Sequence, residues 1–295
     1  MIGLDGATVA EHLVLDWGIE GASLEPHDAG MNSRTWLVRR GSARWVAKAV
    51  PAGTRPLFES GLTVAAHVQG KGIPAGAPVA TQSGALVVGM GGYALALLSF
   101  VAGSPLTGDT EQEQRTLGAT LAGAHRALAD LAIDEVERFH WLDPGAKHLD
   151  VGEWLRPVLV RVLAEWEAIP PASLTWGLLH SDPAPEAFLL DHVTGSCGLI
   201  DWDRALHGPL MYDVASAVMY VGGPTRAGAL LEAYLQHGPL GQAEIEHSLA
   251  PMLRVRWAVQ ADYFARRIAT HDMTGLADPA ENEEGLLDAR RALVG

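Results

Sequence analysis

The stretch Gly177–Tyr212, GLLHSDPAPEAFLLDHVTGSCGLIDWDRALHGPLMY, reads as strand, tight loop, strand, turn, strand, loop. Its apolar runs Leu178-Leu179, Phe188-Leu189-Leu190 and Leu199-Ile200 lead into Asp182, Asp191 and Asp201, and Asp203 follows two residues after the last. Short apolar strands that deliver carboxylates into loops suit a site that holds a metal, a phosphate or a proton in transit. One such aspartate alone would be a turn residue facing water. His180-x-Asp182, followed about 18 residues later by Ile200-Asp201-Trp202, is a pattern that turn chemistry does not require.

Working outward, the 295 residues are 48% hydrophobic and 19% charged, the make-up of a globular chain with a sizeable core. The 21 basic and 35 acidic residues leave a net charge of −14, which opposes nucleic-acid binding and suits a neutral or cationic partner. An acidic protein that handled a polyphosphate would have to concentrate its positive groups, or a metal, at one place. No apolar run reaches the roughly 20 residues of a membrane span, and the start lacks a basic, apolar export signal. The single cysteine, Cys197, excludes an internal disulfide; with no export signal the expectation is a cytoplasmic protein with no membrane partner. Cys197 lies on an apolar strand and reads as core.

Toward the N-terminus, Val9–Leu15 is expected to be helical. The glycine-bearing turn around Gly30, Asn32 and Ser33 separates two strand-like segments. Arg39-Arg40-Gly41-Ser42 turns into the strand Trp45–Val50, which carries Lys48 in its middle. A lysine there either snorkels or meets an anion. Residues 51–56 read as a loop and Phe58–Gln69 as a helix with Glu59 in its first turn; Gly84–Gly89 and Tyr93–Phe100 read as strands. After Gly103-Ser104-Pro105 the pattern becomes helical. Thr110–Leu131 has an apolar stripe that includes His125, read as a hydrogen-bonded core histidine. Helices are expected over Val151–Ile169, Met211–Val221, Thr225–Gln236, Ala243–Thr270 and Glu284–Val294. The order implies a β-rich part over residues 1–100 and a mainly helical part over 101–295.

In His180-Ser181-Asp182, Ile200-Asp201-Trp202 and Gly208-Pro209-Leu210-Met211-Tyr212-Asp213-Val214-Ala215, the chain resembles the aminoglycoside phosphotransferase family. The likeness runs from Gly30 to about Phe264 with the parts in the same order. It implies an α+β, bilobal protein-kinase-like fold: a small antiparallel-sheet N-lobe (1–100) that binds nucleotide, and a larger helical C-lobe (101–295). It also implies a kinase that moves the γ-phosphate of ATP, with Mg²⁺, to a hydroxyl. The chemistry asks for positioning and charge neutralisation more than for covalent help. Asp182 would accept the hydroxyl proton, and Asp201 would bind Mg²⁺. Lys48 would hold the α- and β-phosphates, with Glu59 bracing it. Backbone amides around Gly30, Asn32 and Ser33 would cover the phosphates, and Ser99, Phe100 and Val101 would meet adenine. His180 would pack the loop, and Asp213 would brace it. Ser181 stands where the family has glycine, and Ala187 where it has a metal-binding asparagine. Glu186 is the nearest group able to substitute.

The acceptor stays open. A small molecule, an aminoglycoside or another antibiotic-like or metabolite acceptor, is one reading. Ser or Thr of a peptide in natural-product biosynthesis is a second. A pseudokinase acting as a binding module is a third, and the missing asparagine favours it. The acidic residues of the last helices, Asp262 among them, suit a cationic acceptor or simply a solvated face.

Overall fold

The computed structural model describes residues 5–27, 33–133, 137–203, 206–276 and 278–295. In α1 (Gly6–Trp17), Asp5 caps the start by accepting the Thr8 N–H at 2.9 Å, and Gly18 ends it at φ +67°. Next come β1 (Ser23–Pro26), β2 (Arg34–Arg40) and β3 (Ala43–Pro51). The helix expected from Phe58 begins earlier, as α2 (Arg55–Gly70). Pro56 tolerates the first turn because its missing N–H would have no partner there. β4 (Val88–Met90) is shorter than its apolar run, since Gly84 takes a turn conformation at φ +87°. β5 (Tyr93–Ser99) and β6 (Ser104–Pro105) follow.

Thr110 and Glu113 form a reciprocal cap that starts α3 (Glu111–Ala127). Then come β7 (Glu137–Arg138), α4 (Leu155–Glu167), β8 (Trp176–Leu179), β9 (Phe188–Leu190), β10 (Cys197–Leu199) and β11 (Leu206–Pro209). The chain finishes with α5 (Met211–Tyr220), α6 (Gly228–His237), α7 (Gln242–Thr270) and α8 (Ala280–Val294).

Two compact units are formed. The first comprises Met1–Pro105 with Asp130–Val136 and Ala187–Ala205, and the second the remaining segments. In the first, an antiparallel sheet runs β1-β2-β3-β5-β4. Alternation along β3 sends Ala47 and Ala49 to a core with Val9, Leu13, Trp36, Val38, Leu95 and Leu97. Val50 goes to the other face, against Phe58 and Leu62 of α2. Burying each of those two side chains contributes roughly 1.5–3 kcal/mol. Lys48 has the parity of Val50 and so emerges on the α2 face, paired in register with Thr35 and Ala96. The same unit contains the small sheet β10-β9-β6.

In the second unit α3 packs on α6 and touches β8 of the sheet β7-β11-β8, and α7 packs on α4, α5 and α8. No helix among the described residues is long and apolar enough to cross a membrane.

Candidate active site

In the first unit a group of charged side chains gathers between β3 and the loop after β10. Lys48 has a 5%-exposed side chain, yet its ammonium makes ion pairs with Asp201 at 3.1 Å and with Asp203. Burial by itself would lower the Lys48 pKa. Asp203 and Asp201, through charge and hydrogen bonds, outweigh it and hold the amine above the usual lysine range. The loop after β10 delivers both acids. Trp202 anchors it by donating its indole N–H to the Leu199 carbonyl at 2.7 Å, buried between two half-exposed carboxylates. Asp201 itself stands at φ +69°, a conformation that costs a non-glycine residue about 1–2 kcal/mol. Strain retained at a charged loop marks a place where the surroundings dictate where the side chain goes.

Glu59 does not brace Lys48. It accepts from Arg55, one turn earlier on α2, at 2.9 Å. A short i,i+4 contact on the same helix satisfies it locally, and Asp203 is the acid that joins Asp201 on Lys48. Asp203 was visible in the sequence as one more loop acid, without a role; its spacing of two from Asp201 was the available signal. Gly30 and Asn32 lie outside the described residues, and Ser33 is half-buried just before β2. β5 ends at Ser99, whose hydroxyl donates to Gln69 at 3.1 Å. Phe100 and Val101 continue outside any strand, with the Arg44 guanidinium 4.1 Å from the Phe100 ring centre.

The second unit carries the loop after β8. Asp213, fully buried in the first turn of α5, accepts the backbone N–H groups of His180 at 2.7 Å and Ser181 at 2.8 Å. His125 bonds the same carboxylate at 3.1 Å and the Tyr234 hydroxyl at 2.6 Å, the core role expected of it. Burial, with the Asp213 charge beside it, pushes the Tyr234 phenol well above its ordinary range. The bracing role expected of Asp213 is thus visible in its geometry. It also explains how Ser181 is held at φ +74°, where glycine would be at ease. Ser181→Gly is expected to relieve strain while loosening the unfolded chain, a net gain of about 0.5–1 kcal/mol. Ser181→Val should lose at least about 1 kcal/mol. Thermal denaturation of both variants checks this; a less stable Ser181→Gly would refute the strain.

Asp182 projects from that loop with a 63%-exposed side chain. Its Oδ1 accepts the Tyr220 hydroxyl at 2.5 Å and Arg256 Nη2 at 2.9 Å, and the same Nη2 donates to the Tyr220 oxygen at 2.8 Å. Sequence reasoning missed both partners. Arg256 could have been noticed as a cation among the buried apolar positions Met252, Leu253, Val255, Ala258 and Val259 of α7. Burial raises the Tyr220 phenol, with Arg256 opposing and Asp182 and Glu186 adding to the rise. For Arg256 burial disfavours the charge, but Tyr220, Tyr212 and Asp182 outweigh it and keep the guanidinium protonated. Glu186 is exposed within the single turn Pro185–Ala187, and Ala187 is buried. Among the described residues no three acidic, histidine or cysteine side chains gather as a metal cluster. Asp262 does not present a free carboxylate, because it is buried against His148 at 2.6 Å.

A family model described as the phosphotransferase enzyme family matches residues 23–247. The chain belongs to that family. As a family member it is a phosphotransferase whose acceptor is an alcohol group on a small molecule, on the α+β kinase-like fold that the motifs implied. This phosphotransferase is 26% identical over 289 residues to a homoserine kinase of Caulobacter vibrioides, covering 90% of this chain and 89% of that protein. With a homoserine kinase of Xanthobacter autotrophicus it shares 30% over 193 residues, 60% of each chain. Among solved structures, an amicoumacin kinase in complex with AMP-PNP and Ca²⁺ superposes with a TM-score of 0.76 at 14% identity. That match covers 98% of this chain and 93% of the other. A spectinomycin phosphotransferase gives 0.67, also at 14%, over 99% and 98% of the two chains. Identities this low show the shared fold.

Proposed function

We propose that this phosphotransferase moves the γ-phosphate of ATP to the hydroxyl of a small, homoserine-like amino alcohol. What carries the acceptor class is the likeness to homoserine kinases along 289 residues, nine-tenths of the chain. The antibiotic-modifying enzymes share the fold at about half that identity.

In this reading residues 1–100 serve the nucleotide, and residues 101–295 supply the catalytic loop, the metal site and the acceptor-binding helices. Lys48 meets the α- and β-phosphates. Residues 30–33, Ser33 among them, cover the phosphates, and the backbone at Ser99–Val101 meets adenine. A buried ammonium flanked by two half-exposed carboxylates fits a triphosphate and a hard cation, because Mg²⁺ takes oxygen donors. Asp201 and Asp203 would hold the ion. When bound, Mg²⁺ supplies neutralisation of phosphate charge. Asp182 orients the acceptor and takes the hydroxyl proton as that oxygen bonds to phosphorus and the bond to ADP breaks. Asp213 keeps the loop that carries Asp182 in place.

The test is incubation of the purified protein with Mg-ATP and L-homoserine, followed by ³¹P NMR. Choline, spectinomycin and a Ser-containing peptide serve as competing acceptors. A phosphomonoester of homoserine formed with kcat of about 1–10³ s⁻¹ is expected. Faster transfer to another acceptor would overturn the acceptor class. Nucleotide binding without transfer to any of them would favour a binding module.

A further inference from the structure

We infer that Arg256 and Tyr220 are positioning residues that hold Asp182 in its working orientation, closing Oδ1 and leaving Oδ2 to the acceptor hydroxyl. This deepens the proposed function and rests on Asp182 being the group that meets the acceptor.

Three observations carry it. The Arg256 side chain is only 7% exposed, whereas its acid partner, Asp182, is 63% exposed. A buried cation that reaches out to an exposed acid contributes little as a stabilising pair, since solvent screens the acid. Next, Arg256 Nε is buried with no hydrogen-bond partner among the described residues. An unmade bond of that kind costs stability, so packing alone does not account for the residue. Last, the donors and acceptors close into a ring. Arg256 Nη2 gives one hydrogen to Asp182 and one to Tyr220, and Tyr220 gives its own to the same Oδ1. The guanidinium carbon lies 5.4 Å from the Tyr220 ring centre, which fixes its direction further.

The ring has a geometric consequence. Asp182 sits in a loop, and an aspartate with neither oxygen bound would rotate among several orientations. Two donors on a single oxygen select one orientation and aim the other oxygen. A misplacement of about 1 Å at the reacting oxygen costs on the order of 10²-fold in rate. Tyr220 ends α5 and Arg256 lies mid-way along α7, so two packed helices, rather than the loop itself, set the aim.

The test is a double-substitution cycle in kcat with Mg-ATP and L-homoserine. Arg256→Gln is expected to lower kcat about 10- to 10²-fold, with KM for ATP unchanged within about twofold. Tyr220→Phe should lower it about 3- to 10-fold, and Arg256→Lys should recover part of the loss. In an Asp182→Asn background Arg256→Gln should have no further effect, because it acts through the missing carboxylate. An equal factor in both backgrounds would mean that Arg256 only supports the fold, and would overturn the inference. If wild type leaves L-homoserine untouched, the acceptor assignment has failed, and the positioning role is then read from crystals of Arg256→Gln. There the Asp182 carboxylate should have rotated away from Tyr220, and an unmoved carboxylate overturns the role. Tyr220→Phe, which removes one oxygen atom, serves the same purpose should Arg256→Gln not fold.

Discussion

Replacing Asp182 by alanine is expected to lower the rate of phosphoryl transfer by 10² or more, the usual scale for a positioned general base. That factor corresponds to about 2.7 kcal/mol of lost transition-state stabilisation. Nucleotide affinity should stay within about twofold, because the groups assigned to the phosphates are Lys48, Asp201 and Asp203. Stability should respond too. Alanine strands the buried Arg256 charge, a loss held to about 1–2 kcal/mol by the exposure of Asp182. Asp182→Asn keeps an oxygen acceptor for Tyr220 and Arg256, so it should melt closer to wild type while losing as much turnover. Steady-state kinetics and thermal denaturation of both variants separate the two effects. Near wild-type transfer in either one would remove Asp182 from the chemistry.

Lys48→Ala should weaken Mg-ATP binding at least tenfold, seen as a smaller nucleotide-dependent rise in melting temperature. The reason goes beyond the loss of a cation for the phosphates. Without the ammonium, Asp201 and Asp203 face each other uncompensated, and like charges so close oppose the approach of a triphosphate. Asp201→Ala should abolish the part of the shift that depends on Mg²⁺. Asp203→Ala should reduce it, since that acid shares the same ammonium. Glu59→Gln is the contrasting case. Its partner is Arg55, in a half-exposed i,i+4 pair, so nucleotide binding should be unchanged and stability should move by less than about 0.5 kcal/mol. A large loss of nucleotide binding in Glu59→Gln, with none in Asp203→Ala, would mean that Lys48 changes partners when nucleotide is bound.

Much of this molecule was legible along the chain because the physics involved is local. An apolar run marked β3, an apolar stripe marked α3, and glycine and proline marked most boundaries. The acid-bearing loops of Gly177–Tyr212 announced themselves because chemistry needs carboxylates at strand ends. Where local signals failed, the competing term was also local. Pro56 entered a helix whose first turn tolerates it, and Gly84 delayed β4 with a left-handed turn.

The partners of the charged groups were another matter. Lys48 meets Asp201 across 153 positions, Arg256 meets Asp182 across 74, and Asp213 holds the Ser181 amide across 32. Glu59, by contrast, was satisfied four residues away. A carboxylate's type and its neighbours in sequence say that it needs a donor. Which donor it receives depends on which helices and strands pack together, and that is set by apolar surface rather than by the charges. The identity of the acids could therefore be read from the sequence, while the cations beside them were decided only by packing within each unit, β3 beside the loop after β10 in the first and α5 against α7 in the second.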